Sequence, residues 1–125
     1  MHYIKIVNKT NNFHVETTSK YCNTFLCKLF GLMFKKSIAP NDGITFVNPK
    51  ESFLDSSIHM LFMRFDITVV WINSEFKVVD KTKARKWRLI YSPKVKAKYT
   101  LETHIARYEE FSVGDQLVFE KIIDN

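Results

Sequence analysis

From His2 to Val7 polar and apolar residues alternate, and Phe13 to Thr18 alternates again after Asn8-Lys9-Thr10-Asn11-Asn12. A period of two puts successive side chains on opposite faces of a strand, so this opening predicts a hairpin. The pattern then changes. Within Asn23–Phe30, Leu26, Leu29 and Phe30 recur at spacings of three and four, which predicts a short helix closed by Gly31 as its cap. Ala39-Pro40-Asn41-Asp42-Gly43 is a turn cluster, and Ile44–Val47 reads as the strand that follows it.

The most apolar stretch runs from Ile58 to Ile72 and is interrupted by Arg64, Asp66 and Thr68. Its β-branched and aromatic content predicts central strands rather than one helix. Asn73-Ser74 then turns into Phe76–Thr82 as the second arm of a hairpin. Tyr99–Thr103 is a further strand, His104–Phe111 a short helix, and Val113-Gly114-Asp115 a turn into a closing strand over Gln116–Ile122. Eight or nine short strands with two short helices predict a mostly β protein, a small β-sandwich or barrel-like single domain over residues 1–125.

Length and composition support one domain. The chain has 125 residues, 46% of them hydrophobic, with three glycines and three prolines. That is enough to bury a single core without metals, and it excludes collagen-like, disordered and disulfide-scaffold classes. No apolar run approaches the roughly 20 residues that cross a bilayer, and the alternating start does not form the apolar core of a signal peptide. The expectation is a soluble, cytoplasmic monomer with no membrane span.

Charge adds one feature. The net charge is +6, yet residues 81–98 alone carry +8, from Lys81, Lys83, Arg85, Lys86, Arg88, Lys94, Lys96 and Lys98 with no acidic residue among them. The other 107 residues sum to −2. Alternation around Pro93 predicts two strand arms with Lys81, Lys83 and Arg85 on the same face as Lys94, Lys96 and Lys98. Functionally, this would be a basic patch for an anionic polymer or nucleic acid, with Trp87 available for stacking. The structural alternative is a solvated edge hairpin whose lysines block edge-to-edge pairing and whose Trp87 anchors the loop to the core.

The remaining reactive residues are sparse. Cys22 and Cys27, both read onto the helix, would point about 140° apart at 3.6 residues per turn, which predicts free, partly buried thiols. His14, His59 and His104 are scattered, so no metal site is expected, and no cofactor motif is present. Ser37, Ser56, Ser57 and Ser112 lie in no nucleophile-elbow sequence, and Met33, Met60 and Met63 read as core filling.

Four blocks occur in order: Gly31-Leu32-Met33-Phe34-Lys35-Lys36-Ser37, Asp42-Gly43-Ile44-Thr45-Phe46, His59-Met60-Leu61-Phe62-Met63-Arg64-Phe65, and Leu101-Glu102 followed by Val113-Gly114-Asp115. Together, over about residues 31–120, they resemble the domain-of-unknown-function 192 family, in the archaeal form without a signal peptide. The resemblance implies a small β-sandwich-like fold and no assigned activity. The chain departs from that family's pattern at Asp66-Ile67-Thr68, where proline, an apolar residue and aspartate are usual. It departs again at Asn73, where an acidic residue is common, and after Glu102, where an Ala-x-Gly segment is missing.

Arg64 lies in the most apolar stretch, where a guanidinium is costly to bury unpaired, and Glu102 on another strand is its candidate partner. The pair reads either as a structural ion pair or, with His59, as the polar floor of a pocket for a small anionic or carboxyl-bearing ligand. His59 and His104 could serve as acid or base, but histidine at a strand end or helix start reads more often as a cap or packing residue. The function these features predict is a non-enzymatic binding or interaction module. The alternatives are a weak, sequence-independent nucleic-acid-binding accessory protein acting through residues 81–98, or an enzyme with a pocket around Arg64 and Glu102.

Overall fold

The computed structural model describes residues 2–10 and 16–122. Seven strands form one sheet: β1 (Tyr3–Asn8), β2 (Glu16–Cys22), β3 (Asp42–Ser52), β4 (Ile67–Ile72), β5 (Val78–Ala84), β6 (Ala97–His104) and β7 (Leu117–Lys121). Their order across the sheet is β5-β4-β6-β3-β2-β1-β7, antiparallel except where β2 meets β3. Helix α1 (Phe25–Phe30) follows β2, and a 3-10 helix (Ile105–Glu110) follows β6. The mostly β, single-domain expectation holds, as do the β1–β2 and β4–β5 hairpins. Asn11 and Asn12 of the expected turn, and Phe13, His14 and Val15 of the expected strand, lie outside the described residues.

The sheet curls until its two ends meet. Leu117 N–H donates to the Phe76 carbonyl at 2.8 Å and Val78 N–H to the Asp115 carbonyl at 3.0 Å, which joins the start of β7 to the start of β5. Ile6 of β1, Val70 of β4, Leu101 of β6 and Leu117 of β7 consequently share one core although they come from strands far apart in the order. A second core lies on the opposite face of the sheet, where Ile44, Ile67, Val69 and Trp71 are covered by Leu32, Ile58, Met60 and Met63. Every residue of β4 is buried, because both its faces are covered, and this is why all of its residues but Thr68 are apolar rather than alternating with polar ones.

Only Ile67–Ile72 of the long apolar stretch is a strand. Residues 58–66 are a covering loop whose Ile58, Met60 and Met63 point down onto the outer core, while Phe62 and Arg64 are exposed. Ile58 and Tyr91 exchange two backbone hydrogen bonds of 2.9 Å, and Trp87 N–H donates to the Met60 carbonyl at 3.0 Å, so this loop is tied to the loop before Pro93. A loop that must seal a core is apolar for the same reason as a strand, and β propensity does not distinguish the two.

Three further expectations are corrected. Cys22 is the last residue of β2 and Thr24 caps α1, so only Cys27 is helical, and the two cysteines form a disulfide across a Cα–Cα separation of 5.7 Å. The helical offset argued for free thiols does not apply once one cysteine precedes the helix. Secondly, Lys81 and Lys83 lie on β5 at the end of the strand order, but Lys94–Lys98 lead into β6, which sits between β4 and β3, so the two basic arms do not pair. Trp87, 56% exposed, packs edge-on against the exposed Phe62 instead of reaching the core.

Lastly, the buried arginine is Arg107 of the 3-10 helix. Its Nε pairs with Glu110 and its Nη1 donates to Thr17 Oγ1 at 2.6 Å. Replacing Arg107 with alanine should cost about 3 kcal/mol or more, because buried partners lose their charge and donor. Arg64→Ala should stay within about 0.5 kcal/mol. Urea unfolding of both variants checks the contrast. Thiol titration checks the disulfide: denatured protein should show no reactive thiol before reduction and two after it.

A candidate binding cleft around Glu102

Cross-strand register sets the environment of Glu102. On β6 it lies opposite Ile44 of β3 on one side and Val69 of β4 on the other, both buried apolar residues of the outer core. Two positions before it, Thr100 is opposite Phe46 and Trp71. Glu102 is therefore an acidic residue inside an otherwise apolar patch of sheet and is only 5% exposed. Burial pushes its carboxyl from the ordinary 4.5 up to about 8, because the charged form loses its hydration.

Above this patch α1 and the covering loop leave a cleft of about 80 Å³. Thr100, Glu102 and Phe46 lie on its sheet side, Leu32, Ile58 and Met63 on its walls, and the half-buried Lys28 with the exposed Asp55 and His59 at its mouth. Helix α1 is placed there by local chemistry. Thr24 Oγ1 accepts from Cys27 N–H at 3.3 Å, Gly31 N–H donates to the Cys27 carbonyl at 2.9 Å, and the disulfide fastens the helix to β2. Gly31 adopts φ +43°, and a Cβ there would stand 2.9 Å from the Phe46 ring and 4.0 Å from Glu102 Oε1. The positive φ and the close approach of the backbone to the Phe46 ring need glycine.

The covering loop is held by a buried polar network. Trp71 Nε1 donates to the Ser56 carbonyl at 2.7 Å, Ser56 Oγ donates to the Ala97 carbonyl at 2.7 Å, and Asn48 Nδ2 donates to Ser56 Oγ at 2.9 Å. Lys28 Nζ donates to Asn48 Oδ1 at 3.4 Å, which draws the ammonium toward this network.

Among the residues singled out from sequence, His59 and Glu102 line the same cleft and Arg64 does not. None of the ion pairs among the described residues joins Arg64 to Glu102. His104 caps the 3-10 helix, its Nδ1 accepting from Ala106 N–H at 3.0 Å. The basic residues are dispersed among separate partners. Lys81 and Lys83 stand over the Tyr108 ring, Arg85 pairs with Asp66 at 3.3 Å, Arg88 stands over Tyr91, Lys96 over Phe53 and Lys98 over Tyr99. Lys86 and Lys94 are exposed, and their backbone N–H groups donate to Asp66 and Asp80. Sequence reasoning missed Lys28, Asp55 and Thr100. Lys28 sits on the helix beside the apolar stripe and Asp55 in a loop, and neither position carries a motif.

A feature beside the cleft also had no sequence signal. Phe34 stacks on Phe62 with ring centroids 5.2 Å apart, and Phe62 meets Trp87 edge-on at 5.6 Å. All three are about half exposed, and all three have positive φ, at 68°, 61° and 70°. Left-handed backbone costs a non-glycine residue on the order of 1 kcal/mol. Here it is stabilised by cross-loop bonds such as Phe34 N–H to the Phe62 carbonyl at 3.2 Å. The cleft-lining Met33 and Leu61 precede two of these rings in the chain, but the triad, an exposed aromatic lip of the loop cover, does not itself line the cleft.

The raised carboxyl gives a signed pH dependence. Between pH 4.5 and about 8 the folded chain holds the Glu102 proton and the unfolded chain does not, so this group's contribution to stability falls as pH rises through that window and is flat above it. Lys28, Asp55 and His59 are the other charged or titratable groups on the cleft. Glu102→Gln should remove this slope. Urea unfolding at pH 5 and pH 8 should find the variant gaining several kcal/mol on the parent between the two, and equal slopes would contradict the burial argument.

Comparison with known proteins follows the same geometry. The family model DUF192, described as Uncharacterized ACR, COG1430, matches residues 5–119. A UPF0127 protein of Thermococcus kodakarensis is 42% identical over 112 residues, covering 88% of this chain and 69% of that one. A UPF0127 protein of Pyrococcus furiosus is 36% identical over 120 residues, covering 94% of this chain and all of that one. A crystal structure from Sinorhizobium meliloti 1021, of a protein described as a proposed transcription regulator, superposes with a TM-score of 0.82 at 17% identity. It covers 94% of this chain and 92% of that one, and at that identity it shows the fold alone. With the family model spanning nearly the whole chain and two relatives above 30% identity, the chain belongs to the DUF192 family.

Proposed function

We propose that this domain is a non-enzymatic binding module and that the cleft over Glu102 is its site. The carrying observation is the buried Glu102 carboxyl, which has apolar cross-strand neighbours and faces a cleft rather than a partner side chain. An apolar cleft with a few convergent polar groups is the usual form of a ligand site.

Catalysis has weaker support. Around the cleft, His59 is at the exposed mouth and no serine or cysteine stands in hydrogen-bond contact with it among the described residues. Nucleic-acid binding through residues 81–98 has weaker support as well, because a phosphate track needs adjacent free cations and several of these side chains are engaged by Tyr108, Asp66, Phe53 and Tyr99.

Methyl NMR with 1-butanol as a neutral apolar probe tests the reading. Saturable shifts should concentrate at Leu32, Ile58 and Met63 and leave Ile6, Val70 and Leu117 of the enclosed core unmoved. Absence of saturable shifts at the cleft, or shifts confined to the enclosed core, would overturn it.

A further inference from the structure

We propose that the cleft takes a primary ammonium group carried on an apolar stem, which forms an ion pair with Glu102. This deepens the preceding reading and rests on it. The cleft combines a wall that suits an alkyl chain, in Leu32, Ile58 and Met63, with one carboxyl on its sheet side. What a desolvated carboxyl lacks is a cation, and none of the described residues pairs one with it. Arg64 is exposed outside the cleft lining, and Lys28 at the mouth donates to Asn48 rather than to Glu102. An arriving ammonium replaces lost hydration with a charge-assisted hydrogen bond in a low-dielectric site.

The proton balance is explicit. Below about pH 8 the carboxyl is protonated in the free protein, so R–NH3+ binds as one proton leaves the Glu102 carboxyl for solvent, and the product is the carboxylate–ammonium pair. Above that pH no proton is released. Because the carboxyl titrates close to neutrality, its proton is given up readily when a cation arrives. A carboxylate ligand would meet the opposite situation, since it would place a second acidic group against Glu102 with Asp55 also on the cleft.

Calorimetry at pH 6.5, 7.5 and 8.5 with n-butylammonium, 1-butanol and butyrate tests the proposal, with Nα-acetyl-lysine amide as a fourth probe. The ammonium should bind at least tenfold more tightly than the alcohol at pH 8.5, and its affinity should fall several-fold to tenfold per unit below about pH 8. Close to one proton should be released at pH 6.5, measured in buffers of differing ionisation enthalpy. Glu102→Gln should abolish both the preference and the pH dependence, and a cooperative urea transition reports that the variant is folded. Tighter binding of the lysine derivative than of n-butylammonium would identify a polypeptide side chain as the source, and the reverse a free amine. Equal affinities for the ammonium and the alcohol, or a preference for butyrate, would overturn the proposal while leaving the cleft a binding site. Failure of all four probes to bind would overturn the binding-site reading itself.

Discussion

Covering β4 on both faces is the constraint from which the rest of the structure follows. An antiparallel sheet can leave one face to water, but here Val70 and Ile72 belong to the enclosed core and Ile67, Val69 and Trp71 to a second core outside the curl. The second core has no second sheet to cover it. It is sealed by α1, by residues 31–38 and by the two loops that meet at Ile58 and Tyr91. Irregular chain over a hydrophobic face leaves its own backbone groups to satisfy. The Trp71, Ser56, Ala97 and Asn48 bonds, together with the Ile58–Tyr91 bridge, meet that requirement.

A loop cover packs less completely than a sheet, and the cleft is where it falls short. Its polar content is set by the register of β6. Shifting β6 by one residue would turn Thr100 and Glu102 inward and Leu101 outward, so the buried carboxyl and the enclosed leucine are two consequences of one pairing. Since an isolated buried carboxyl is destabilising in its charged form, Glu102 is stabilised where it stands by remaining protonated. A position on the same strand filled with valine would serve the fold better. This contrast between what the sheet prefers and what the sequence contains separates Glu102 from the other buried polar residues. Thr17, Ser19, Thr45 and Thr103 all find hydrogen-bond partners.

Much of the fold was legible because it is local. The hairpins follow from alternation, α1 from Leu26, Leu29 and Phe30 with the Gly31 cap, and the 3-10 helix from the break after β6. The misreadings share a cause. Residues 58–66 are apolar because of what they cover, Arg64 sits in apolar sequence yet on an exposed turn, and Cys22 lies one element earlier than its spacing suggests. Each depends on how elements pack, which local periodicity does not encode. The argument that a buried arginine must be paired holds, but for Arg107, whose polar neighbours Glu109 and Glu110 gave no sign that it would be buried. Glu102 and His59 line one cleft, and the guanidinium expected beside Glu102 is absent from the lining.

The aromatic lip completes this account, because it costs stability without contributing to either core. Phe34, Phe62 and Trp87 each hold a left-handed backbone that glycine would adopt without strain, and each leaves about half its ring surface in water. Were these positions only turns, small polar residues would serve them better. Cations adjoin the rings in the chain, as Lys35 and Lys36, Arg64, and Lys86 and Arg88. The fold then has one region stabilised for its own sake, the enclosed core, and one left incompletely satisfied, the loop-covered core with Glu102 beneath it.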